Sequence, residues 1–208
     1  MLLDLEHGAG TEAELIPSLQ AVGGRCPFLV RVEQNERPRF QRALDAGADG
    51  VMVPRVDSVE DGRNAVAHLR CPPDGDRGVA YMNRAANFGA ETGERDVLCV
   101  IQVETRNAVE QAGELAQLDG VDVLFVGPAD LGAAIGRDAV PDATDAVQRA
   151  CEAAGKAAGL FTREREDAEK ALEQGFRFVA LASDSYFLAQ AARAAAGGLC
   201  GSEPQSPS

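Results

Sequence analysis

The chain has 208 residues, enough for one well-buried domain and too few for two ordinary ones, and its 45% hydrophobic and 25% charged residues are globular in kind. A formal net charge of −13 with no Lys/Arg stripe argues against nucleic-acid phosphate and anionic membranes as partners, while leaving room for a small acid wherever a metal and an arginine reverse the local field. The five cysteines are odd in number and form no C-x-x-C pair, and there is neither a membrane-length apolar run nor a basic leader, so a disulfide framework, a zinc knuckle, a membrane span and a secretory signal are disfavoured and a reducing cytoplasm is expected.

In chain order, Leu2 to Leu5 reads as a strand. Residues 11–22 read as a helix, with Thr11 as N-cap and Glu14 three residues on completing a capping box. Phe28 to Val32 is a buried strand, Arg37 to Ala46 a helix ended by Gly47, Val51 to Pro54 a strand and 58–69 a helix. Residues 70–95, with Pro72-Pro73 and four glycines, lack periodicity and read as a long functional loop. The run VLCVIQV at 97–103 is a continuous apolar strand, followed by a helix at 106–117 and a strand at 121–126. Next come a helix at 142–154, a weak strand at 157–161, a helix at 164–174, a strand at 176–182 and an Ala-rich helix at 185–196. This pattern places one barrel domain over 1–196 and a disordered tail over 197–208.

Strands alternating with helices mean parallel β/α units, and fully apolar strands mean that both sheet faces are covered. Seven such units can be counted. No G-x-G-x-x-G follows the first strand and there is no P-loop, so a nucleotide-binding open sheet is disfavoured. Polar residues at the C-terminal ends of nearly every strand favour a (β/α) barrel, because barrel active sites are assembled there.

Those strand ends offer Asp4, Glu6 and His7, then Arg31, then Arg55 and Asp57, then Gln102 and Glu104, and finally Asp130. Glu104 and Asp130 each end a strongly apolar strand, where a carboxylate is costly unless paired or bound to a cation. Either they hold Mg²⁺ or Mn²⁺, or each caps the helix that follows. His7 is one of two histidines and suits proton exchange near neutral pH, with Asp4 three residues earlier to orient it; the competing reading is a surface loop histidine. Arg31 ends a buried strand and has an anion to meet, either a side-chain carboxylate or a ligand. Arg77 in the irregular loop either reaches a second carboxylate or faces water, and His68 on a helix face reads as structural.

Four segments in order resemble one family: Asp4-Leu5-Glu6-His7, Pro72-Pro73-Asp74-Gly75-Asp76-Arg77-Gly78-Val79, Gln102-Val103-Glu104-Thr105 and Gly127-Pro128-Ala129-Asp130-Leu131. Together, over about residues 1–195, they look like the HpcH/HpaI aldolase family, with citrate lyase β-subunits and malyl-CoA lyases as more distant relatives. The resemblance implies a TIM (β/α)8-type barrel of the phosphoenolpyruvate/pyruvate superfamily and class II aldolase chemistry between pyruvate, or a similar 2-oxo acid, and an aldehyde. It implies Glu104 and Asp130 as ligands of Mg²⁺, Mn²⁺ or Co²⁺, and Arg31 at the substrate's oxo oxygen. It further implies His7 with Asp4 as an acid–base dyad, Gln102 and Ala129 lining the pyruvate site, and Asp45 reaching a neighbouring subunit's site. It also implies a trimer or hexamer with the last helix exchanged between partners. Two departures accompany it: Leu5 stands where Gly is common, and Val32 where Pro is usual. The strand and helix that usually precede the Asp-x-Glu-His strand are absent, so seven strands are expected instead of eight. A truncated start or a covering partner chain would explain the gap. Alternatives to the aldolase are a citramalyl/malyl-CoA-type or citrate-lyase-like enzyme and a non-catalytic barrel needing a partner. Class I chemistry is disfavoured independently, since Lys156 and Lys170 are the only lysines and neither ends a clear strand.

Overall fold

The computed structural model describes residues 1–93 and 95–197; residues 198–208, nearly all of the expected tail, lie outside the described residues. Seven strands lie side by side in chain order: β1 (Leu2–Asp4), β2 (Leu29–Arg31), β3 (Gly50–Val53), β4 (Leu98–Val103), β5 (Val123–Val126), β6 (Ala157–Thr162) and β7 (Phe178–Leu181). Every neighbouring pair is parallel. Among the described residues the sheet curls into an open barrel whose edges, β1 and β7, do not pair with each other, one βα unit short of the eightfold closure.

Around it run α1 (Leu15–Val22), α2 (Arg37–Ala46), α3 (Val59–Leu69), α4 (Arg106–Glu110), α5 (Ala112–Gln117), α6 (Pro128–Ile135), α7 (Val140–Ala154), α8 (Arg165–Glu173) and α9 (Asp184–Ala196). Their starts follow local chemistry. Thr11 and Glu14 form the expected capping box, although the first turn is a 3-10 turn. Ser58, Thr105 and Ser183 each accept a backbone N–H from the first turn of α3, α4 and α9. No described helix is long and apolar enough to cross a membrane.

Strand alternation divides the apolar residues into two cores. Val30, Val51, Val53, Cys99, Ile101, Val103, Leu124 and Val126 point outward and pack under the helices. Leu29, Met52, Val100, Val123 and Phe125 point into the barrel, joined toward the open side by half-buried Leu2, Phe161, Phe178 and Ala180. Each large apolar side chain so buried contributes roughly 1.5–3 kcal/mol. The inner rows then continue into polar residues. Beyond Leu2 stands Asp4, beyond Leu29 stands Arg31, and beyond Val100 stand Gln102 and then Glu104. The alternation that builds an apolar floor therefore puts the charged groups at its mouth.

Three features differ from the pattern read in the sequence. The helix expected over 106–117 breaks at Gln111, whose backbone leaves the helical region and whose side-chain oxygen accepts the Val59 N–H at 3.1 Å. A further helix, α6, opens on Pro128 directly after the fifth strand. Residues 70–95 join the end of α3 to the start of β4, so they lie at the rim where strands begin, away from the mouth. Arg95 holds Asp49 there at 2.9 Å and Arg77 holds Asp45 at 3.1 Å. His68 meets Asp76 at 2.9 Å and the edge of Phe40, as its structural reading implies. A cavity of about 200 Å³ under this segment is lined by Leu44, Arg77, Tyr81 and Arg95 among others. On the outside, α9 buries none of its residues, leaving Phe187 51% and Leu188 72% exposed.

Gly159 marks a tight point of the inner core. A Cβ there would lie 2.8 Å from the Phe125 ring and 2.9 Å from the Phe178 carbonyl oxygen, between two rings that meet edge to face at 5.8 Å. Gly159→Ala is expected to destabilise the chain by about 1–3 kcal/mol in urea unfolding. Gly113→Ala, in the exposed part of α5 with open space around its Cβ, is expected to stabilise it by about 0.5–1 kcal/mol. Equal effects at the two positions would remove the packing argument.

Candidate active site

The mouth is organised around Arg31. Its backbone register opposite Asp4 makes the two inward side chains neighbours on adjacent strands. The guanidinium donates from Nε to Asp4 Oδ1 at 2.8 Å and from Nη2 to Asp4 Oδ2 at 2.6 Å, a bidentate pair. Nη1 donates to Gln102 Oε1 at 3.2 Å and lies 3.1 Å from Glu6 Oε2. Asp4 Oδ1 also accepts the backbone N–H groups of Glu6 and His7, at 3.0 and 3.3 Å. Burial alone would raise the Asp4 carboxyl, but Arg31 and the two backbone N–H groups outweigh it and hold it below its usual range. Burial alone would likewise lower Arg31, but Asp4 first, then Glu6 and Glu104, hold its charge more firmly than usual.

Glu104 follows β4 on the same inward row and is buried. Its Oε1 accepts the Arg55 backbone N–H at 2.9 Å, and its Oε2 accepts Gln102 Nε2. Burial pushes its carboxyl above the usual range; the Arg55 N–H opposes this, while the negative charges of Glu6 and Asp130 push further up. Asp130 is exposed, in the first turn of α6, within electrostatic reach of Glu104. Neither acid caps a helix. Thr105 caps α4, and the residue before α6 is Gly127, with no side-chain cap. The capping alternative for the two acids therefore has no counterpart in the structure.

Of the other residues singled out in the sequence, Gln102 is buried between Arg31 and Glu104, and Ala129 is exposed at the start of α6. His7 is largely exposed; its Nε2 lies 3.9 Å from Glu6 Oε2, and its link to Asp4 runs through its backbone N–H instead of its ring. Asp4 has both oxygens engaged by Arg31, so the dyad is not closed side chain to side chain. Asp45, in the last turn of α2, stands at the opposite rim on Arg77.

Two residues carried no role in the sequence reading. Glu6 has a side chain only 9% exposed, and its Oε2 is buried with no hydrogen-bond partner among the described residues. It shares the inward parity of Leu2 and Asp4, a signal present in the sequence. Arg55 adopts φ 55°, the left-handed region that disfavours side-chain-bearing residues by roughly 1–2 kcal/mol. No local pattern forecasts that conformation.

Among the described residues no three His, Cys, Asp or Glu side chains form a ready metal cage. Glu104 and Asp130 offer carboxylate oxygens only, a set suited to a hard divalent cation that keeps part of its water shell. The crowding that raises Glu104 is what a cation there would relieve.

Comparison with known proteins agrees in fold and sequence. The sequence pattern of the HpcH/HpaI aldolase/citrate lyase family matches residues 1–191. The 5-keto-4-deoxy-D-glucarate aldolase of Enterobacter sp. (strain 638) is 37% identical over 196 residues, covering 88% of this chain and 77% of that protein. The 2-dehydro-3,6-dideoxy-6-sulfogluconate aldolase of Pseudomonas putida is 39% identical over 198 residues, covering 88% and 77%. The crystal structure of a HpcH/HpaI aldolase/citrate lyase family protein from Burkholderia cenocepacia J2315 superimposes with a TM-score of 0.88 at 35% identity, covering 95% of this chain and 84% of that one.

The Asp4–Arg31 pair has a defined pH signature. Because the folded carboxyl sits below its ordinary value of 3.8, the pair's stabilisation is fully present above that value and is lost as pH falls through the lower, folded one. Asp4→Asn is expected to lower stability by about 1 kcal/mol at neutral pH, discounted for partial exposure. The gap to the unaltered chain should close on acidification below pH 3.8. A gap that stays constant down to the acid transition would assign the loss to packing instead.

Proposed function

The chain belongs to the HpcH/HpaI aldolase/citrate lyase family, and we propose that it is a class II, metal-dependent carbon–carbon lyase that cleaves or forms the bond between a pyruvate-type 2-oxo acid and an aldehyde. The observation that carries this reading is that buried Glu104, just past β4, and Asp130, in the first turn of α6 beyond neighbouring β5, lie within electrostatic reach of each other at the mouth where Asp4 fixes the guanidinium of Arg31. Relatives named as aldolases at 37–39% identity over most of the chain support it.

In this reading Glu104 and Asp130 hold the cation. Bound there, Mg²⁺, Mn²⁺ or Co²⁺ supplies Lewis-acid polarisation of the 2-oxo acid. The remaining work belongs to the chain. Arg31, locked by Asp4, places a fixed positive charge where negative charge develops on the oxo oxygen as the carbon–carbon bond breaks, with no reorganisation at that moment. Gln102 and Ala129 line the 2-oxo acid, and Gln102 keeps the Arg31 and Glu104 side chains in register. His7, accessible at the mouth with its Nε2 3.9 Å from Glu6 Oε2, takes the proton from the aldol hydroxyl. Asp4 acts through position: it fixes Arg31 and the His7 backbone. Asp45 lies at the opposite rim, so any part it takes is at another subunit's mouth, in a homo-oligomer.

Schiff-base chemistry lacks a candidate. Lys156 immediately precedes β6 at the strand-start rim, and Lys170 sits on the exposed face of α8 beside Asp167 at 3.3 Å. The buried Cys99 thiol is pushed up to about 12 by burial and supplies no nucleophile.

Glu104→Ala and Asp130→Ala are each expected to lose retro-aldol turnover by a hundredfold or more, and EDTA to abolish it in the unaltered chain. Full activity after chelation would sink the metal-dependent reading. Arg31→Lys is expected to lose most turnover, because a point charge cannot replace the planar fork. The double variant Lys156→Ala/Lys170→Ala should keep its activity and yield no borohydride-trapped adduct with pyruvate; a trapped adduct in the unaltered chain would transfer the reaction to class I. Exchange of the pyruvate methyl hydrogens without any coenzyme A separates the aldolase from the acyl-CoA lyase alternative.

A further inference from the structure

Arg55 bears a cost that a surface residue has no reason to accept. It stands one residue past Pro54 at the mouth end of β3, in a left-handed conformation at φ 55°. That conformation is required, since it turns the Arg55 backbone N–H onto Glu104 Oε1 at 2.9 Å. Glycine meets the same requirement without strain. A strained position kept by a large side chain points to a use for that side chain.

The side chain itself is free to act. It is 78% exposed, and its Nε lies 3.9 Å from Glu6 Oε1, an ion-pair distance beyond hydrogen-bond reach. At that distance, and with the guanidinium itself in solvent, the pair is weak although Glu6 is buried, so the guanidinium leaves it at small cost. The surroundings define what it would leave for. Asp4, Glu6, Asp57, Glu104 and Asp130 make the mouth acidic, on a chain with a net charge of −13. Arg31 is already engaged by Asp4, Gln102 and Glu6. A metal on Glu104 and Asp130 and the engaged Arg31 serve the reacting end, so a substrate with a negative charge beyond that end needs a further cation to meet it.

We infer that Arg55 is a specificity-determining residue whose guanidinium receives an anionic group, a carboxylate in the simplest case, on the aldehyde half of the substrate. Its backbone serves the Glu104 site while its side chain selects acidic over neutral aldehydes. This rests on the aldol reading above.

The test is the ratio of kcat/KM for pyruvate condensation with tartronate semialdehyde to that with glyceraldehyde, two aldehydes of equal length that differ by a carboxylate in place of a hydroxymethyl group. Arg55→Gln and Arg55→Gly should each lower that ratio by about tenfold or more, and Arg55→Lys by less. Arg55→Gly also relieves the backbone strain, so its melting temperature should not fall, which separates selectivity from folding. A ratio unchanged within about twofold in Arg55→Gln and Arg55→Gly overturns the assignment. If the unaltered chain with Mn²⁺ condenses neither aldehyde with pyruvate, the aldol reading itself fails, an outcome distinct from a change in ratio.

Discussion

A single half-buried arginine makes the mouth of this barrel possible. Arg31 lies among Asp4, Glu6 and Glu104, three acids that would repel one another in a half-buried space. Removing one partner of a partly buried ion pair leaves the other charge uncompensated. Here that dependence is shared, since one guanidinium serves acids from β1 and from beyond β4 at once. The bidentate clamp on Asp4 fixes the plane of the fork, which a flexible lysine would not do. Stability and the proposed chemistry therefore lean on the same side chain.

Glu104 and Asp130 stand in contrast. Arg31 and the Arg55 N–H only partly offset the burial of Glu104, and its carboxyl remains pushed up. A protein that needed only stability would fill this space with an amide or an apolar residue. Retaining two acids here keeps a local field that favours an incoming cation. The left-handed backbone at Arg55 belongs to the same arrangement, as strain held in place by the strands around it and turned toward an acid.

Much of this was legible in the amino-acid pattern. VLCVIQV had to be a strand covered on both faces, and the Thr11–Glu14 spacing had to start a helix. The polar residues after each apolar run marked the mouth. Other parts depend on long-range geometry that local pattern does not carry. Asp4 and His7 are three apart in sequence, yet the strand register puts Asp4 opposite Arg31, and the stronger, bidentate partner takes the carboxylate. The segment at 70–95 looked functional because it is irregular. Its rim followed from topology instead: it leaves a helix and enters a strand, which places it at the strand-start rim. The short helix α6 was hidden because Gly127-Pro128 resembles a turn until the fifth strand positions it.

The period-two rows that run from floor to mouth carry a consequence for sequence drift. Inserting or deleting one residue within β4 would rotate everything beyond it by half a turn, sending Gln102 and Glu104 into the helix layer and Ile101 and Val103 into the aqueous mouth. The polar rim and the hydrophobic packing would fail together, with no intermediate form that keeps either. The strands of this scaffold therefore accommodate point replacements, and a change of length is absorbed at least cost in the connections between them.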